Sequence, residues 1–520
     1  MRDKRTEERA RDRRPGGRYI LEAASFLCGA AVMVLEMAGS RVVAPYMGTS
    51  LIVWTALIGV IMASLSAGYW LGGAVADRRP EMKVLARIVL GAAVLTGAAA
   101  LAANPLLDAL SRMSGLYLSS VAGATALFAA PSVLLGMVSP FIVRLAMRGV
   151  DSSGTTVGRF SALSSAGSIL GTFLGGFVLI AYFASGTILL LVSATLAFVA
   201  ALLQWGAGAV PKEAAFSALL CAAFFGLSWA AEARGLPSAP VGVHIDTPYN
   251  HIWVVDRTRW DGRRARYLMT GALNEGAQSV VDPDRPEELV SDYTKFYDLA
   301  FHYRPDAKKI LMLGGGGYCV PRHLLATREV SVDVVEIDPG ITAAAREYFF
   351  LRDEGNPNIA VWHEDARIFL NREARERQGA YDAVFADVFG SWYSIPFHLT
   401  TVEAARAMRD LLDEDGVLIS NVISSLSGPE SRVLGGIYAA LCEVFPKVLV
   451  FPASRASLPY AETRQNLMLA AFKSEETPLR AAAPLPDSEM ARLLSHLWTA
   501  PFNSDARPFT DAFAPVEPGL

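Results

Sequence analysis

The chain has 520 residues, 52% of them hydrophobic and 19% charged, with a net charge of −4 and a mean hydropathy of +0.31. So long a chain divides into two or three domains; it is too apolar to be soluble throughout, and it carries no basic field for nucleic acid. Cys28, Cys221, Cys319 and Cys442 lie far apart with no CxxC or Cys/His cluster. They indicate neither a metal site nor a disulfide framework, which suits a reducing compartment.

The first 18 residues, MRDKRTEERARDRRPGGR, are rich in arginine and lack an apolar core. They read as a cytoplasmic tail, not a cleavable signal, because the apolar run behind them is too long. Apolar stretches follow near 19–45, 51–76, 84–103, 116–147, 157–183, 186–205 and 212–231. Most reach the roughly 20 residues that cross a ~30 Å hydrocarbon layer, so a transmembrane domain of about seven spans is expected over 19–235. Asp77-Arg78-Arg79, Arg144, Arg148 and Arg159 flank alternate loops, whereas Pro45–Ser50 and Phe183–Gly186 carry no cation, the positive-inside pattern for an inside N-terminus. Seven spans would put the C-terminal domain outside. The stretch 116–147 is long and interrupted at Gly136 and Pro140, so an even count is favoured, with the C-terminal domain on the cytoplasmic face of the plasma (inner) membrane. Gly68, Gly72 and Gly73 in the second stretch, and Gly167, Gly171, Gly175 and Gly176 in the fifth, allow close helix contact. Glu36 lies deep in the first, where a carboxylate is costly; it lines a polar path or is neutralised in the bundle.

Gly235–Pro240 reads as a linker. HIWVVD and RYLMT are short alternating runs around a charged turn, a hairpin, and 282–302 looks helical. Then KILML (309–313), VDVVEI (332–337), IAVW (359–362), YDAVFA (381–386), GVLISNV (416–422) and KVLVF (447–451) alternate with helical stretches. This is the βαβ rhythm of a doubly wound, parallel α/β sheet. The expected fold is thus a multi-span α-helical membrane domain followed, over 241–520, by a Rossmann-like α/β domain with an N-terminal β-hairpin region.

KILML runs into Gly314-Gly315-Gly316-Gly317, where the backbone can approach a ligand that a Cβ would exclude. Glu336, 22 residues after Gly314 at the end of the next strand, is placed to accept both ribose hydroxyls. Asp365, followed by Ala366, is placed to accept from an adenine amino group or to cap a helix. Asp387 ends the fourth strand. Four successive strands thus present groups at their carboxyl ends, where open α/β sheets bind ligands.

The segment 244–472 resembles the spermidine synthase (polyamine aminopropyltransferase) family. The resemblance rests on Thr247-Pro248-Tyr249-Asn250-His251-Ile252, Tyr293, Gly314–Gly317, Val335–Asp338, Asp365 and Asp387. The whole chain is similar to the membrane-integrated branch through Glu36–Ser50, Ser66–Asp77, His398-Leu399-Thr400-Thr401 and Thr510–Glu517. The resemblance implies that Glu336 holds ribose, Asp365 the adenine, and Asn250 and the glycine loop the sulfonium end, with Asp338 and Ala366 also among the binding residues. It puts Asp387 beside the reacting carbon with Tyr293 as its catalytic partner. S-adenosylmethionine or its decarboxylated form is then a substrate, and no cofactor is bound permanently. The departures are Gly317 and Tyr318 for the family's Asp-Gly, Asp387-Val388-Phe389-Gly390-Ser391 for its Asp-x-x-Asp-Pro gate, with no second Asp, and Lys295 for the acid of Tyr-x-Glu. The loss of these carboxylates weakens the case for a polyamine acceptor.

Three reactions remain. An amine attacks the γ-carbon with Asp387 as base, releasing methylthioadenosine; S-adenosylmethionine's own carboxylate attacks that carbon, a lyase reaction giving homoserine lactone; or a methyl group is transferred. The lost acids favour lysis. A nucleoside sensor or regulated transporter is the non-catalytic alternative. The expected partners are an adenosine sulfonium, the lipid bilayer and, for transfer, a polyamine, with no nucleic acid; a homodimer is left open.

Overall fold

The computed structural model describes residues 15–47, 51–111, 116–147, 153–208, 211–234, 242–270, 277–388, 395–500 and 506–516. The first fourteen residues of the tail, the linker 235–240, Arg148 and the Phe389–Ser391 part of the gate lie outside the described residues. The chain divides into a helical unit ending at Pro240, which takes in Asp246–Pro248, and an α/β unit of Val241–Ile245 and Tyr249 onward.

The helical unit contains α1 (Pro15–Met47), α2 (Leu51–Arg78) and α3 (Met82–Ser111). Helix α4 joins Leu116–Ala124 to Ala130–Ala146 through a π turn at Thr125–Ala129, and α5 joins Ser153–Phe173 to Ile180–Tyr182 through a π turn at Leu174–Leu179. Helices α6 (Ser185–Gly206) and α7 (Pro211–Arg234) complete it. Among the described residues, the first six are long and apolar enough to cross a membrane. The seventh expected span forms α7, but its apolar part is only Ala215–Ala230. The interruption expected in 116–147 is absent: Pro140 sits inside a continuous helix.

Close backbone approach holds this unit together. A Cβ on Gly68 would lie 2.2 Å from the Val133 carbonyl oxygen, and one on Gly72 2.6 Å from Met137 Cα, so α2 packs against α4 without side chains between them. Gly167 and Gly171 bring α5 equally close to α1, where a Cβ would lie 2.0 Å from the Phe26 oxygen and 2.4 Å from that of Ala30. Gly73 has nothing within 4 Å, and Gly175 and Gly176 make only ordinary contacts. Asp77 pairs with Arg144 at 3.0 Å and Glu22 with Arg159 at 2.7 Å, joining helix ends that loop charge assigns to one side. Glu36 is half-buried in α1.

The α/β unit begins with a four-stranded sheet in the order β1 (Val243–Asp246), β2 (His251–Thr258), β3 (Arg264–Met269), β4 (Ser279–Val281). Strands β2 and β3 are the expected hairpin, antiparallel with Trp253 opposite Met269. The helix expected at 282–302 is replaced by turns, a 3-10 helix at Asp292–Asp298 and a short helix at Leu299–Tyr303, because Pro283 and Pro286 cannot sit in a helix interior.

Among the described residues the main sheet has seven strands. They are β5 (Lys309–Leu313), β6 (Ser331–Val335), β7 (Ile359–Trp362), β8 (Tyr381–Ala386), β9 (Leu412–Ser424), β10 (Lys447–Pro452) and β11 (Gln465–Phe472), in the order β10-β11-β9-β8-β5-β6-β7. From β9 to β7 the pairing is parallel. The expectation of a wholly parallel sheet fails at one edge, where β11 inserts antiparallel between β9 and β10. Strand periodicity sends Ile310, Met312, Ala383 and Phe385 into one buried layer and Leu311, Leu313, Val384 and Ala386 into the other. Both faces are therefore covered, which explains the continuous apolar runs and leaves only the strand ends free for polar chemistry.

Candidate active site

The carboxyl ends of β5, β6 and β8, with the turn after β7, open on one cleft of about 370 Å³. Order inversion between β5 and its neighbours β8 and β6 makes this the switch point of the sheet.

Gly314 adopts φ 88°, and a Cβ there would lie 2.1 Å from the Asp387 carbonyl oxygen. Only glycine fits that turn. The following N–H groups then point at Glu336. Its Oε2 accepts from Gly315 N at 2.9 Å and Gly316 N at 3.2 Å, and its Oε1 from Asp338 N at 2.9 Å. Burial pushes Glu336 above the usual carboxylate range, and the three backbone donors oppose that shift. Glu336 thus pins the glycine loop while facing the cleft.

Tyr318, which stands at a glycine position of the resembled family, is fully buried in the left-handed region at φ 53°. Its hydroxyl meets Thr342 Oγ1 at 2.8 Å, and a Cβ on Gly315 would lie 2.6 Å from its ring. The ring therefore supports the loop from beneath.

Asp365 caps helix Ala366–Glu376, its Oδ1 accepting from Arg367 N at 2.7 Å and Ile368 N at 3.2 Å. Its Oδ2 lies 3.3 Å from His398 Nε2. The capping role is thus real, and Asp365, Ala366 and His398 all line the cleft.

Asp387 follows β8. Its Oδ1 accepts from Asn421 Nδ2 at 2.9 Å and its Oδ2 from the Tyr293 hydroxyl at 3.2 Å. Burial raises its pKa above the ordinary Asp range, against the opposing hydrogen bonds from Asn421, Tyr293 and Tyr297. Burial, then the charge of Asp387, holds Tyr293 well above an ordinary phenol, so Tyr293 keeps its proton and donates.

Asn250, Tyr293, Gly314, Gly315, Gly316, Glu336, Asp365, Ala366 and Asp387 come together around the cleft. Asp338 and Gly317 are not on its wall. Asp338 is fully buried, caps helix Pro339–Tyr348 through Gly340 N, and accepts from Asn250 Nδ2 at 2.8 Å; it holds Asn250 in place. Gly317 N donates to Ser279 Oγ at 2.8 Å. Lys295 also lies off the cleft, 3.4 Å from Asp292 Oδ1. Asn421, Gln278, Ser279 and Gln465 on the wall were not anticipated from the sequence, and His398 was singled out only as part of the membrane-branch motif. Asn421 had a visible signal, an amide inside the apolar run GVLISNV at a strand end.

A sheet whose central strands run parallel, with Glu336 after β6 and the buried Asp387 after β8 at their carboxyl ends, defines a Rossmann-like fold. Within that class, the profile of the spermine/spermidine synthase domain matches residues 295–427. A polyamine aminopropyltransferase of Vibrio vulnificus is 35% identical over 124 residues, 24% of this chain and 40% of that protein. An N-terminal histidine N-methyltransferase of Emericella nidulans is 27% identical over 190 residues, 35% of this chain and 32% of that protein. The chain therefore spans less than half the length of these two relatives. A polyamine aminopropyltransferase of Mycobacterium tuberculosis is 26% identical over 468 residues, 82% of each chain. This is a membrane-anchored protein whose C-terminal unit resembles the spermidine synthase/polyamine aminopropyltransferase family, a likeness that supports an enzymatic function.

Proposed function

We propose that the α/β unit is an aminopropyltransferase-like enzyme acting on S-adenosylmethionine or its decarboxylated form at the γ-carbon. The observation that carries this is Asp387: a carboxylate at the centre of the sheet, raised in pKa by burial and held by Asn421 and Tyr293. In this reading Glu336 takes the ribose hydroxyls, Asp365 and Ala366 the adenine, and Asn250 with Gly314–Gly316 the sulfonium end. The acceptor nitrogen bonds to the γ-carbon as the carbon–sulfur bond breaks. The electron pair leaves on the sulfur of methylthioadenosine, and the ammonium proton passes to Asp387. A raised pKa brings that base closer to the working pH, and the Tyr293 hydroxyl can turn to accept once Asp387 is protonated.

The expected lyase reaction remains a second reading, since the aminopropyltransferase relatives favour transfer. One observation keeps it: among the described residues, the carboxylates on the cleft are Glu336, Asp365 and Asp387, with none left for the distal cation of a diamine. In lysis the substrate's own carboxylate oxygen bonds to the γ-carbon, the same carbon–sulfur bond breaks, and no proton moves.

The cytoplasmic side is proposed for this unit. Among the described residues six helices are long and apolar enough to cross, and an even number of crossings returns the chain to the side of its arginine-rich start.

The test is product analysis on the full chain with either sulfonium, with and without putrescine. Methylthioadenosine formed together with an aminopropylated amine supports transfer. Methylthioadenosine without an amine transfers the assignment to lysis, S-adenosylhomocysteine to methyl transfer, and no product to a sensor.

A further inference from the structure

Two motifs remain without a role in the reaction, His398–Thr401 and the closing segment from Thr510. The fold brings them together at the base end of the cleft. Phe509, 4% exposed, enters a slot on helix Ser431–Cys442 that exists because residue 436 is glycine; a Cβ there would lie 2.1 Å from the ring. Its carbonyl accepts from Val402 N at 2.8 Å and its N–H donates to the Gly436 carbonyl at 3.3 Å.

The anchored segment then delivers Asp511 to three donors. Arg367 Nη1 and Nη2 donate to its two oxygens at 2.9 and 2.6 Å, a bidentate pair, and Thr401 Oγ1 donates at 2.7 Å. Asp511 N–H donates in turn to Glu403 at 3.0 Å. The same guanidinium reaches the cleft wall: Arg367 Nη1 donates to the His398 carbonyl at 2.6 Å, and the Arg367 main-chain N–H donates to Asp365 Oδ1 at 2.7 Å. Asp365 and His398, whose side chains approach to 3.3 Å, both line the cleft. The Arg367 side chain is 14% exposed, so without Asp511 a largely dry cation would lose its bidentate partner and leave its position on His398.

We propose that Asp511 is a positioning residue for nucleobase recognition: through Arg367 it fixes the Asp365–His398 wall, which makes the C-terminal segment part of the nucleoside site. The proposal rests on reading the cleft as an adenosine sulfonium site. The hydrogen bonds from Arg367, then Thr401, hold Asp511 below the usual carboxylate range, so the pair stays charged at neutral pH.

The experiment measures dissociation constants of methylthioadenosine and of methylthioinosine, which has oxygen in place of the 6-amino group, by calorimetry on the full chain. Wild type should prefer methylthioadenosine. Asp511→Ala should weaken methylthioadenosine by roughly tenfold and leave methylthioinosine nearly unchanged, so that the preference collapses. Asp511→Glu, which keeps both acceptor oxygens, should restore most of it. Should Asp511→Ala fail to fold, Asp511→Asn, with one acceptor left, should show a smaller loss of the same preference. An unchanged ratio of the two affinities in the folded variant, whether both hold or both fall, overturns the proposal, because a merely structural segment would act on both ligands alike. Wild type that binds neither nucleoside refutes the reading of the cleft itself, and the proposal with it.

Discussion

Glycine means different things in the two units. In the helical unit Gly68, Gly72, Gly167 and Gly171 have ordinary helical backbone, and each removes a Cβ that would strike the backbone of a neighbouring helix. Lipid supplies little hydrophobic force between helices, so close contact has to supply the cohesion. In the α/β unit, cohesion comes from large buried side chains such as Phe296, Phe385 and Phe451, and Gly314 does something else. It combines a positive φ with a close approach to Asp387 at a strand end. Glycine at helical spacing in an apolar run marks packing, whereas Gly314 at positive φ shapes the cleft where the parallel strands end.

Breaking the packing glycines should have the largest effect. Gly68→Val places two further carbons where even a Cβ has no room and should destabilise the helical unit by about 3 kcal/mol or more, read as loss of folded protein in detergent. Methylthioadenosine affinity of the surviving folded fraction should be unchanged. Gly314→Ala should do the reverse. The left-handed backbone and the clash with Asp387 should lower methylthioadenosine affinity by roughly 10- to 100-fold, while the helical unit keeps its thermal transition.

A subtler contrast comes from pH. Asp387 has a folded pKa above its unfolded value, so the native state binds the proton more tightly. Stability should therefore fall as pH rises from the unfolded to the folded pKa and level off above it. Activity should run the other way, rising through the folded pKa as the base ionises. A pH–rate profile for methylthioadenosine release whose acid limb matches an ordinary Asp would remove Asp387 as the base. The smallest effect belongs to Gly73→Ala. With nothing within 4 Å of the added methyl, it should leave the helical unit unchanged or stabilise it by about 0.5–1 kcal/mol.

The parts legible in the sequence were those where one local rule acts alone. Apolar length located the helices, and short apolar runs ending in Gly314, Glu336 and Asp387 located the strands and the cleft. What escaped were features set by tertiary pairing. Gln465–Phe472 reads LMLAA, residues that suit a helix, and becomes a strand because β9 and β10 each pair with it. Asp338 looked like a ligand group next to Glu336, but its side chain caps a helix and holds Asn250. Gly317 extends the glycine run, yet its N–H is committed to Ser279, which comes from a different sheet. Asp511 lies 144 residues from Arg367, beyond any local pattern.

In the proposed reaction Asp387 serves the chemistry and not the fold or the binding of the nucleoside. Replacing it with Asn keeps the shape and the hydrogen bond from Asn421 but removes the base. Measured on one preparation, Asp387→Asn should lower the amine-dependent rate of methylthioadenosine release by roughly 10²–10⁴-fold. Its methylthioadenosine affinity should stay within about threefold, and its thermal stability should hold or rise as a buried charge is lost. A rate that survives, or an affinity that falls in step with it, would contradict the account.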